Sequence, residues 1–188
     1  MLILILGLVV FFGIHSVRIV APGLRAAQVR ANERRWKGLY SLVSLVGFGL
    51  IIWGYILYRP EAPQLYAPPE WGRLIALPAL FVSLVLLSTP RAPTGRIRAT
   101  VVHPMVVGML VWAAGHLLSN GDAAGTLLFG VTLVYAVADL VSALRRDEPR
   151  PRFESARGDI IAIGIGAVVT AALLLGLHGL LFGANPLA

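Results

Sequence analysis

The sequence contains no cysteine. That absence removes disulfide frameworks, thiolate metal sites, iron–sulfur clusters and cysteine nucleophiles together. Charge is scarce as well. Charged residues make up 13% of the chain, about half of the ~25% typical of soluble domains. So few polar side chains cannot cover a water-facing surface. Disorder is excluded for the opposite reason, because it requires low hydrophobicity. Here 57% of the residues are apolar, and mean hydropathy is +0.81. The class is an integral membrane protein, and residues 1–188 read as one membrane domain. No low-complexity tail or internal repeat is visible, so the pattern lends no support to an inverted-repeat transporter.

A helix needs ~20 apolar residues to cross a ~30 Å hydrocarbon core. Six stretches meet or approach that length: 2–20, 39–58, 72–89, 104–119, 124–144 and 159–183. The expected fold is therefore all-α, a polytopic membrane helix bundle of about six transmembrane helices. The alternating pattern of a membrane barrel is missing. Pro78 predicts a kink in the third helix. Pro104 suits the first position of the fourth, where no N–H is needed. Asn120-Gly121-Asp122 reads as a tight turn that makes helices four and five an antiparallel hairpin. In the first stretch the positive cluster follows the apolar run, the reverse of a signal peptide. A retained helix beginning on the outer side is expected.

Charge placement predicts the topology. Fourteen of the sixteen Lys and Arg fall in the odd-numbered loops. Arg18, Arg25, Arg30, Arg34, Arg35 and Lys37 lie in the first, and Arg91, Arg96 and Arg98 in the third. Arg145, Arg146, Arg150, Arg152 and Arg157 lie in the fifth. The positive-inside rule puts these loops in the cytoplasm and both termini outside. Basic loops on a polytopic protein are a topology signal, so no nucleic-acid partner is implied. Weak attraction to anionic head groups accompanies them. Trp53, Tyr55, Tyr58, Tyr66 and Trp71 predict an outer aromatic belt, and Trp36 and Tyr40 an inner one. The proline-rich second loop predicts an ordered, extended cap. Gly179 and Gly183, four residues apart, are expected to mark a helix-packing face.

Histidine is the residue type that offers chemistry. His15, His103, His116 and His178 all lie in or beside predicted spans, where polar groups are costly and often functional. Acids are few. Asp139 is expected to pair with Arg18, Arg98 or Arg145 at the inner face, and Asp159 opens the last span. Neither a glutamate–histidine di-iron pattern nor a serine–histidine–acid set can be assembled. Two neutral imidazoles on different helices in an apolar setting are suitable axial ligands for haem. At ~1.5 Å per residue, His15 and His116 differ in depth by ~8–10 Å, as do His15 and His103. His15 and His178 differ by ~17 Å, which disfavours that pair. Depth also permits His116 with His178.

Several segments then resemble a known family. They are Gly13-Ile-His-Ser-Val-Arg-Ile19, Arg35-Trp-Lys-Gly-Leu-Tyr-Ser-Leu-Val-Ser-Leu-Val-Gly47 and His103-Pro-Met-Val-Val-Gly108. Trp112 and His116-Leu-Leu-Ser-Asn-Gly-Asp122 complete the set. In this order they resemble the NnrU family of bacterial membrane proteins, most densely in helices one, two and four. The resemblance implies a multi-pass protein of the bacterial inner membrane associated with denitrification, with nitrite reductase and nitric oxide metabolism. It implies other denitrification membrane proteins as partners. The family is in turn similar to the plastid zeta-carotene isomerase, a b-haem membrane enzyme. That similarity implies haem b held by His15 and His116, with His103 nearby. The isomerase's alternative cysteine ligand would fall on Ala113, which cannot ligate, and this departure counts against isomerase activity.

Three functions are thus set against each other. The first is a haem-binding protein supporting nitrogen-oxide respiration. The second is a haem-dependent cis–trans isomerase of a polyene lipid, with Trp112 and Phe129 along its path. The third is a cofactor-free transporter or assembly factor, in which the near absence of buried acids argues against proton coupling. No catalytic residue is assigned.

Overall fold

The computed structural model describes residues 1–146 and 149–187. Helices dominate: α1 (Leu2–Val20), α2 (Pro22–Tyr58), α3 (Gly72–Leu87), α4 (Arg96–Val101), α5 (Pro104–Leu117), α6 (Ala123–Arg145), α7 (Arg157–Ala172) and α8 (His178–Phe182). Among the described residues the one strand-like pairing is an isolated bridge between Gln64 and Asp122. Four helical segments are long and apolar enough to cross a membrane: Leu2–Val20, Pro22–Glu61, Ala123–Arg145 and Arg157–Phe182. α3 and α5 are apolar but shorter, at 16 and 14 residues. The chain is an all-helical membrane protein among its described residues, and each of the six expected apolar stretches carries helix.

The second helix begins at Pro22, well before residue 39. Its first turns carry Arg25 and Arg30 and therefore read as loop. Asn32 interrupts it with extended backbone (φ −163, ψ 99). The Asn32 side chain accepts a hydrogen bond from the Arg35 N–H at 2.9 Å. Asparagine is a preferred N-cap for this reason, so Asn32 ends a basic helix and starts the apolar one. Pro78 sits within a continuous α3. The last apolar stretch is not one helix. A π-helical segment, Leu173–Leu177, separates α7 from α8, with Gly176 at φ 129.

α1 packs most extensively on α2, α5 on both α3 and α6, and α7 on α3. Glycine makes these approaches possible. A Cβ on Gly54 would lie 2.3 Å from the Leu4 backbone nitrogen, and one on Gly47 2.7 Å from that of Phe11. On α3 and α5, Ser83 is fully buried and donates to the Gly108 carbonyl at 2.8 Å. The expected packing role of Gly179 and Gly183 is corrected. A Cβ on Gly179 would meet only the Ala184 carbonyl at 3.8 Å, and one on Gly183 nothing. Tyr55 also leaves the expected belt: it is buried in a cluster with Leu4, Leu8, Phe12, Ile51 and Ala124.

The connecting segments meet in two sets. At one end the prolines of the second loop hold it extended against the α5–α6 turn. Leu65 N–H donates to the Gly121 carbonyl at 2.8 Å, and Ala123 N–H to that of Pro63 at 2.9 Å. Asp122 caps α6 by accepting from Gly125 N–H at 2.8 Å, as the turn reading requires. The Tyr66 hydroxyl donates to the carbonyls of Leu117 and Asn120. At the other end Asp159 crosses between loops. Its carboxylate accepts from the N–H groups of Arg96 (2.8 Å) and Ile97 (3.0 Å), capping α4 from a distant part of the chain. Glu154 accepts from Thr94 N–H at 2.9 Å, and the Thr94 carbonyl accepts from Glu154 N–H at 2.9 Å. Third and fifth loops therefore meet at one end and second and fourth at the other.

Desolvation raises the Tyr66 hydroxyl above its ordinary ionisation range, although the neighbouring Thr126 hydroxyl opposes the shift. An unfolded tyrosine loses its proton near pH ~10. The folded chain keeps that proton longer, so this contribution to stability is present below pH ~10 and declines above it. Tyr66→Phe is expected to lower stability by about 1 kcal/mol and to flatten the alkaline limb. Unfolding in detergent across pH, with tyrosinate absorbance alongside, measures both.

Candidate functional site

His15 lies near the arginine-rich end of α1, half-buried. Helical geometry brings its Nδ1 to the carbonyl one turn earlier, that of Phe11, at 2.6 Å. The Phe11 ring stacks on the imidazole at 4.2 Å between centroids. Tyr40 of α2 and Tyr135 of α6 flank the ring at 5.1 and 6.3 Å. Tyr40, expected only in an interfacial belt, is thus also a neighbour of His15. Tyr135 is a site neighbour that no sequence pattern singles out. Its available signal was a hydroxyl in mid-span, one of the few polar groups on α6.

His116 repeats the arrangement on α5. Its Nδ1 lies 2.8 Å from the Trp112 carbonyl, again one turn back. Phe129 of α6 stacks on it at 4.3 Å, and Trp112 closes the group at 4.7 Å from His116 and 5.0 Å from Phe129. In both histidines the contact with a carbonyl places the proton on Nδ1 and the lone pair on Nε2. Metal-bound histidines are oriented in this way, the second nitrogen donating to a carbonyl while the first coordinates. His15 and His116 thus each present an Nε2 lone pair that is not engaged by the carbonyl contact.

Their placement on α6 defines the span between them. Tyr135, beside His15, and Phe129, beside His116, are six residues apart, ~9 Å of helical rise. That agrees with the depth offset expected from sequence. No ring contact joins the two histidines directly among the described residues, so a ligand shared by both would run along α6. His103 occupies the N-cap position of α5, but its side chain makes no capping hydrogen bond. His178 follows the π segment, with its Nδ1 2.7 Å from the Ala184 carbonyl. It lies near enough to His116 to act on it electrostatically. No cluster of three or more His, Asp or Glu suited to a metal ion occurs among the described residues. Asp139 lies 3.9 Å from the Arg146 guanidinium, an ion pair with a residue outside the expected set of Arg18, Arg98 and Arg145.

Apolar spans, two sets of interlocked loops and paired aromatic-flanked histidines define a polytopic helical membrane protein with its polar groups held between helices. The NnrU protein family matches residues 3–186. The chain belongs to that family. No curated protein and no solved structure matches it.

Proposed function

We propose that this NnrU-family protein binds b-type haem between its transmembrane helices and serves denitrification, in nitrite reductase and nitric oxide metabolism. His15 and His116 are the ligands, with His103 near the same end as His15. The protein lies in a bacterial inner membrane, its arginine-rich end in the cytoplasm and both termini outside. One observation carries the haem reading: two histidines on different helices share the same Nδ1-to-carbonyl anchoring, which leaves Nε2 available on each. When bound, haem supplies one-electron redox chemistry. Phe11 and Phe129 fix the imidazole planes, and the apolar helices exclude water.

The test is an absorption spectrum of detergent-purified protein, oxidised and dithionite-reduced, with a pyridine haemochrome assay. A Soret band with sharp reduced α and β bands is expected. His15→Ala or His116→Ala should lower haem retention by more than the ~10–100-fold cost of losing a mere supporting partner. His178→Ala should leave it unchanged. A wild-type protein that stays colourless with added haemin would overturn the reading and make these histidines structural.

A further inference from the structure

The link between α4 and α5 holds its backbone in an unusual shape. Val102 has φ 62 and ψ −50, and across it the His103 N–H donates to the Val101 carbonyl at 2.6 Å. This is a γ-turn of the strained kind, with positive φ at its central residue. A β-branched side chain adds to the strain, because valine rarely adopts this region. Among the described residues Val102 is the one non-glycine residue with positive φ.

Two fixed points explain why the strain falls there. On one side, Asp159 of α7 accepts from the N–H groups of Arg96 and Ile97. That joint is tightly fitted. A Cβ on Gly95 would collide with the Asp159 carboxylate, and one on Gly158 with the Pro93 carbonyl. On the other side, the buried Ser83 hydroxyl ties Gly108 of α5 to α3. The short run between Ile97 and Gly108 must turn from α4 into α5, and Val102 stands in its middle. α7 is the least enclosed element of this linkage. It packs on α3 and α4, and along it Gly158, Ala162 and Gly166 are buried while Ile160, Ile163 and Val168 are exposed. Movement of α7 therefore reaches α4 through Asp159. His103 follows the turn and is half-buried. Its imidazole makes no hydrogen bond among the described residues, whereas those of His15, His116 and His178 each meet a carbonyl. With no side-chain anchor to oppose it, the turn sets where that ring lies.

We propose that the Asp159 clamp and the Val102 turn form a two-state latch that couples α7 to the start of α5. With the clamp closed, Val102 is held at positive φ and His103 stays half-buried. When α7 moves off α3, the Asp159 hydrogen bonds break, Val102 relaxes to negative φ and His103 swings outward. Coupling of this kind needs an element with two discrete arrangements that both ends bias, and the γ-turn is that element. The latch does not depend on haem, so it stands or falls apart from the proposed function.

The experiment uses the full chain in detergent and has two readouts. The first is thermal unfolding of Val102→Gly against Val102→Ala, which both remove the valine methyl groups. Glycine accepts positive φ and alanine does not, so the glycine variant should melt higher by roughly 2–4 °C. In an Asp159→Ala background the turn is relaxed. The order should then reverse, because glycine loses more conformational freedom on folding than alanine. The second readout is histidine modification by diethyl pyrocarbonate, followed by peptide mass spectrometry with His178 as internal reference. Asp159→Ala should quicken modification of His103 severalfold, and Asp159→Asn, the milder variant, should do so less. Gly166→Leu makes the same test at a distance. A Cβ there would lie 2.9 Å from the Val85 nitrogen, so leucine pushes α7 off α3. It should quicken His103 modification too, with Gly166→Ala in reserve should it fold poorly. Gly164→Leu, where a Cβ meets nothing within 4 Å, should leave the rate unchanged. Alanine at 102 as stable as glycine would show that the turn is unstrained. A glycine advantage that survives Asp159→Ala would show that the clamp does not impose the strain. Either result overturns the latch, as does a His103 rate that neither the Asp159 nor the Gly166 variants change. A rate that responds to Asp159 but not to Gly166 would overturn the coupling to α7.

Discussion

Gly54→Leu is expected to give the largest loss of stability of any single change in the α1–α2 pair. The Cβ alone would sit 2.3 Å from the Leu4 nitrogen and 2.6 Å from its Cα. Both obstacles are backbone, so no rotamer change relieves them. The helices must separate, and Gly47 and Gly7 on the same seam lose their contacts too. Overpacking a core typically costs about 1–3 kcal/mol, and a backbone obstacle puts this variant at or above the upper end. For a chain of this size about 3 kcal/mol lowers the melting temperature by roughly 6–12 °C. Thermal unfolding in detergent measures it. Gly49→Leu is the control, since a Cβ at 49 meets nothing within 4 Å. A Gly54 variant as stable as that control would show that the α1–α2 approach is looser than drawn.

Asp159→Ala should produce the second large effect. It removes the acceptor for two α4 N–H groups and opens the joint between third and fifth loops. Hydrogen bonds to a charged group contribute about 1.5–3 kcal/mol each, and partial solvent access reduces that to about 2 kcal/mol for the pair. Hydrogen exchange should rise first in 94–101, ahead of the spans, because local segments open before the core. Asp159→Asn keeps one acceptor oxygen and should lie between alanine and wild type. Protection at 94–101 unchanged in the alanine variant would mean that Glu154 and Thr94 suffice to hold the joint.

The contrast between these two sites shows what the chain makes legible. The apolar stretches were readable because length and hydropathy are local properties, and all six carry helices. The α5–α6 hairpin was readable because Asn120-Gly121-Asp122 is turn chemistry with a capping acid. Asp159 was not, since its partners lie more than sixty residues away. The packing glycines escaped for the same reason: Gly7, Gly47 and Gly54 differ from Gly49 only in what faces them. The start of α2 was hidden by its arginines, which read as loop until Asn32 is seen to divide the helix. At the site, the histidines were legible as rare polar residues in apolar runs. Their anchoring to Phe11 and Trp112 follows from helix geometry, whereas the Tyr135 and Phe129 neighbours depend on how α6 is rotated.

The shortness of α3 and α5 bears on the surrounding bilayer. At ~24 and ~21 Å, these two mutually packed helices do not match a ~30 Å hydrocarbon layer. Tilting would shorten their reach further, so it cannot close the gap. A bilayer that these two helices cross would have to thin on their side of the protein, while α2 and α6 match its full thickness. Such thinning would bring the head-group layer nearer the last turn of α5. His116 sits there, so bilayer thickness would act on the surroundings of that histidine. Host bilayers of graded thickness would tune it without any mutation.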